Sequence, residues 1–184
     1  MKHISQLIRE TITVIIGILI ALFINNWNED KKDKKYLDQI FISIEKELEE
    51  SIVDIKNVIP KQLASLDSIQ THFNNKEASI YDIIIKSNGI HFPIIKTNSW
   101  NAIANSKIEL IAYEKLSTLA DIEERKENLM IRIERQMDFI FQNMEKTDAE
   151  KKKVLMMIIT DIVNAEKRLL TTIEEFLKNE TVIN

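Results

Sequence analysis

Histidines, cysteines and paired carboxylates are the usual raw material of a chemical site, and this sequence supplies few of them. The 184-residue chain has no cysteine, and its three histidines are His3, His72 and His91. None lies in a His-Glu-x-x-His run, and none follows a glutamate by three residues, as a carboxylate-bridged di-iron bundle requires. Helical bundles often host such metals, so this spacing argues that no residue here is a metal ligand. His72 stands beside an apolar stripe, where packing accounts for it better than ligation. Glu45 with Glu49, and Glu123 with Glu127, are spaced for acid–base pairing. They fall on polar helix sides, where solvation beside local lysines explains them. Gly17 lies in an apolar stretch, which leaves Gly89 alone elsewhere and excludes a glycine-rich phosphate cradle. The net charge of −4 disfavours nucleic acid as the main partner. The expectation is a non-enzymatic protein with no catalytic residues and no cofactor.

The element that organises the chain is residues 11–28, TITVIIGILIALFINNWN, which carry no ionisable side chain. As a helix this stretch is about 27 Å long, close to the thickness of a hydrocarbon core. A cleaved signal has the same layout, with Lys2 and Arg9 ahead of Ile12–Ile24. The residues near its end, Ala21-Leu22-Phe23 and Ile24-Asn25-Asn26, lack the small pair that cleavage needs. A lipoprotein signal would need a cysteine. A buried soluble helix would carry a polar face, and this one is apolar all round. The reading is an uncleaved transmembrane helix, with Trp27, Lys31 and Lys32 at the membrane interface. Thr13, Gly17, Ala21 and Asn25 recur every fourth residue and form a stripe suited to helix–helix association. The competing explanation is that small residues are common in any membrane helix.

Residues Gly17–Leu22 and Asn25–Glu29 match the pattern G-I-L-I-A-L-x-x-N-N-W-N-E. In this the chain resembles a bacterial membrane family known as domain of unknown function 6090. A second, looser likeness covers Ser99-Trp100-Asn101-Ala102-Ile103 and Lys107–Ile111, with Asn105-Ser106 where the family has Ser-Gly. The resemblance implies a single-span bacterial inner-membrane protein with a helical domain, and it brings no catalytic residues. Counting Lys and Arg alone, Lys31, Lys32, Lys34 and Lys35 after the span outweigh Lys2 and Arg9 before it. That favours a cytoplasmic domain. The short N-terminal tail and the family's more basic one favour export, and the periplasmic side is preferred.

Two glycines and two prolines in the whole chain is a composition for long helices. The fold expected is all-α: an N-terminal transmembrane helix continuing into an antiparallel bundle of about four long helices, with short accessory helices. Residues 1–10 form a tail, 11–28 the span and 29–184 the bundle domain. One stripe is Leu37, Phe41, Ile44, Leu48, Ile52 and Ile55, ending or kinking at Pro60. A second helix carries Leu63, Leu66, Ile69 and Phe73. Residues 78–87 read as a short helix stopped by Asn88-Gly89, although the same letters fit a hairpin. Ser99 is the expected cap of a helix through Trp100 and Ile103. A long helix from Tyr113 to Lys146 places Leu116, Leu119, Ile122, Leu129, Ile133, Met137, Ile140 and Met144 on one stripe. Thr147 and Glu150 form a capping-box pattern ahead of the last helix. Its stripe is Leu155, Ile158, Ile162, Leu169, Ile173 and Phe176.

The function expected is a scaffold or accessory subunit in the lipid bilayer that forms a homo-oligomer and engages an unidentified protein partner. A membrane-tethered sensor is the alternative, with His91, Phe92, Pro93 and Trp100 as its ligand or partner surface. An oligomerising membrane effector ranks last, because the span offers few polar groups for a lumen.

Overall fold

Scarcity of helix breakers shows directly in the architecture. The computed structural model describes residues 2–183, with side-chain surroundings over residues 10–179. Helix α1 spans Lys2–Thr71, α2 Ile80–Lys86, α3 Asn98–Ala104, α4 Tyr113–Asn143 and α5 Ala149–Ile183, with one 3-10 turn at Ile108–Leu110. No strand occurs among the described residues, so the helix reading of residues 78–87 holds over the hairpin.

Pro60 lies inside α1, so the helices expected on either side of it are one. Three helices are long, not about four. A proline in a helix interior removes one hydrogen bond and costs about 3 kcal/mol. Here Pro60 and Lys56 both lie exposed, so the carbonyl left over can be hydrated. Burial of Ile55, Val58, Gln62 and Ile69 on the other face offsets the loss.

The chain divides into two units, Met1–Ile42 and Ser43–Asn184. In the first unit every described side chain from Glu10 to Lys32 is exposed. In the second, three helices each bury residues at steps of three, four or seven. On α1 the seam is Ile44, Leu48, Ser51, Ile55, Val58, Gln62 and Ile69. On α4 it is Leu119, Ile122, Leu129, Ile133, Gln136, Ile140 and Asn143. On α5 it is Lys152, Leu155, Ile159, Ile162, Glu166, Leu169, Ile173 and Phe176. This is the periodicity of knobs-into-holes packing.

Helix α2 closes one end of the packed unit. Ser79 and Asp82 form a reciprocal capping box, and Ile80 and Tyr81 donate their N–H groups to the carbonyls of Lys146 and Met144. Ile80 and Ile83 thereby join Ile69, Ile140, Leu155 and Ile159 in one core cluster. Helix α2 stops where expected: Asn88 and Gly89 both have positive φ, and Gly89 N–H returns to Ile84 O at 2.9 Å.

Two caps differ from the expected ones. Asp148, not Thr147, caps α5, accepting from Lys151 N–H at 3.0 Å. Ser99 lies inside α3 rather than at its cap, and its N–H and hydroxyl both donate to the Glu47 carboxylate. A carboxylate on α1 thus satisfies the start of α3.

Candidate functional site

Residues 90–97 have no regular structure and no strand partner, and the polar side chains of α1 receive their backbone instead. Gln62 donates to His91 O at 3.0 Å, Asp54 accepts from Ile94 N–H, and Ser51 Oγ accepts from Lys96 N–H at 2.9 Å. Lys96 Nζ pairs with Glu50, which raises the lysine pKa and lowers that of the glutamate. Ser51, Asp54 and Gln62, spaced by three and eight, fall on one face of α1. An apolar stretch containing Pro93 is thereby tied to a helix through His91 O and the N–H groups of Ile94 and Lys96.

Beneath this strap lies a buried polar layer. Gln62 Nε2 also donates to Glu166 Oε1 at 2.8 Å, and Glu166 is fully buried. Burial pushes the Glu166 carboxyl up to about 7, opposed by the hydrogen bond from Gln62. Glu166 Oε2 and Gln62 Oε1 are both buried without a partner. Gln62, His91 and Gln136 line a cavity of about 20 Å³ together with Ile69, Ile83 and Ile140. That is room for one water molecule. The layer holds one proton that titrates near neutrality inside an apolar seam.

A second buried ionisable group lies on α5. Lys152 Nζ donates to His72 O at 3.0 Å and Asn75 O at 2.6 Å, tying down the carbonyls that follow α1. Desolvation lowers its pKa, with Asp148 pulling the other way.

The residues singled out in the sequence are distributed as follows. Thr13, Gly17, Ala21 and Asn25 are exposed on α1, and a Cβ built on Gly17 meets nothing within 4 Å. Trp27 is exposed with Lys31 Nζ 5.7 Å from its ring centre, a cation–π pair, and Lys32 is exposed beside it. His91 and Phe92 are half-buried, while Pro93 and Trp100 are buried, so of the four only His91 lines the cavity. His72 holds Ser68 O through Nδ1 and contacts Lys86 through Nε2. His3 lies outside the residues whose side chains are described. Glu123 accepts from Lys126 and Asn101, while Glu127 is exposed. Among the described residues no three His, Cys, Asp or Glu side chains converge as metal ligands.

Gln62, Glu166 and Lys152 were not anticipated. The signal existed: each sits in register with the apolar repeat, where a polar residue is conspicuous once the repeat is written strictly. In the comparisons with known proteins, no family model, curated protein or solved structure matches this chain.

Proposed function

We propose that this chain is a single-pass inner-membrane protein whose helical domain is a non-enzymatic interaction module, an accessory or scaffold subunit that self-associates. One observation carries the reading. Helix α1 contains a stretch long enough and apolar enough to cross a bilayer, and its described side chains are exposed. From Ile12 to Ile24 the large side chains are 50–72% exposed. So much unbroken apolar surface is stable against lipid and costly in water. Trp27 and Lys31 at its end suit the headgroup region.

Within this reading the domain is an antiparallel bundle. Gln62 meets Glu166 and Lys56 meets Glu174, so partners on α1 and α5 advance in opposite chain directions. The likeness of residues 17–29 to the family of membrane proteins above supports the same placement, with the domain on the periplasmic side. Partner contact through the bundle surface and pairing through Thr13, Gly17, Ala21 and Asn25 complete the proposal.

Gly17 provides a clean test of self-association, because a larger side chain there clashes with nothing in its own chain. The chain has no cysteine, so Lys34→Cys introduces a sole thiol for disulfide cross-linking in membranes. Gly17→Leu is expected to lower the cross-linked yield about five-fold, near 1 kcal/mol of association. An unchanged yield counts against pairing through this stripe.

The sensor is the second reading, and the buried Gln62–Glu166 layer is what supports it. Proton uptake at Glu166 would then be the event sensed.

A further inference from the structure

The chain has five arginines and twenty lysines, and three of the five arginines line one groove that no lysine lines. Arg125, Asn128, Leu129 and Arg132, spaced by three, one and three, form its α4 wall; Ala165 and Arg168 form its α5 wall. Leu129 is the apolar floor, 1% exposed. Ala165 leaves the space open, about 240 Å³.

Three guanidiniums in one groove repel one another unless anions sit between them. Two have carboxylates on the flanks: Arg125 Nε meets Asp121 at 2.8 Å, and Arg132 meets Asp161. Arg168 has no partner among the described residues, so the set retains one positive charge. Both existing pairs are about half-exposed and hold their arginines weakly. Arginine differs from lysine in presenting a planar fork that grips oxoanions through two parallel hydrogen bonds. Its concentration here, in a chain that otherwise uses lysine, is the pattern such recognition requires. Asn128 adds a neutral amide donor to the same wall.

We propose that the α4–α5 groove binds an oxoanion of the phosphate class. Arg168 is its main contact, and Arg125 and Arg132 turn from their aspartates onto the ligand. The anion is either a soluble phosphate compound or a phospholipid headgroup, and both present the same oxygens. This inference does not depend on the membrane tether or on self-association.

The test is calorimetric titration of the full-length chain in neutral detergent with two probes, inorganic pyrophosphate and water-soluble dibutyryl phosphatidylglycerol. At least one is expected to bind, and added salt should weaken it. Arg168→Gln should weaken it about ten-fold or more, the loss of one charge-assisted bidentate contact. Arg135→Gln, on α4 outside the groove, should change it less than about two-fold. Tighter pyrophosphate assigns a soluble ligand, and tighter phosphatidylglycerol assigns a headgroup. Binding of neither probe overturns the proposal. So does binding that survives Arg168→Gln, or that falls equally with Arg135→Gln.

Discussion

Replacing Lys152 with alanine is expected to destabilise the helical domain by about 3 kcal/mol, read by urea unfolding of the full chain in mild detergent. Lys152 is fully buried, and its ammonium group satisfies two carbonyls, those of His72 and Asn75. Truncation takes the ammonium donor from both carbonyls, His72 O keeping only the Asn75 N–H at 3.2 Å, and opens a cavity where the aliphatic stem lay. Relief from desolving the ammonium group offsets part of that. Lys152→Met separates the contributions, because it refills the stem's volume and restores no donor. It should recover the packing share only, leaving a loss of about 2 kcal/mol. If both variants unfold within about 1 kcal/mol of wild type, the lysine is not what holds the end of α1.

Glu166 should show an effect of similar size that depends on pH. Its carboxyl titrates near 7 in the folded chain, against 4.5 for the ordinary side chain. Below 4.5 both folded and unfolded forms are protonated, and the residue costs nothing extra. Between 4.5 and 7 the unfolded chain ionises while the folded one keeps its proton, so stability falls as pH rises. Above 7 the full cost of burying the charge is present, roughly 3 kcal/mol from that gap in pKa. Glu166→Gln removes the charge while keeping a polar end for Gln62. It is expected to stabilise the chain by about 2 kcal/mol near pH 8, and by almost nothing near pH 4.5. Matched unfolding curves of wild type and variant across that range check it. A difference that stays flat with pH would mean Glu166 titrates normally.

Both residues show where the sequence is legible and where it is not. The apolar repeat located all three long helices, because Ile and Leu at three-four spacing leave few alternatives. It misplaced seam positions where a polar residue occupies one, and once where two isoleucines stand side by side. Met137 and Met144 were expected in the α4 core, yet the buried positions are Gln136 and Asn143, one residue earlier. Ile158 was expected on α5, and Ile159 is the one buried. On α1, Ser51 takes the place given to Ile52. Reading only apolar letters selects the nearest greasy neighbour and hides the polar layer. Pro60 was read as a break because its local cost is large, while the burial that outweighs it is tertiary. The cap of α3 could not be read locally, since Glu47 lies 52 residues earlier in the chain. The groove of arginines was missed for the same reason: its walls come from two helices.

The account rests on residues 11–28 being held in lipid, and alkaline carbonate extraction of membranes carrying the full chain tests that most directly. The chain is expected to stay in the membrane pellet, and a variant with Ile16→Arg and Ile20→Arg to leave it. Each arginine costs about 3 kcal/mol at the centre of a span. A wild-type chain recovered as soluble, folded protein in the carbonate supernatant would contradict the account.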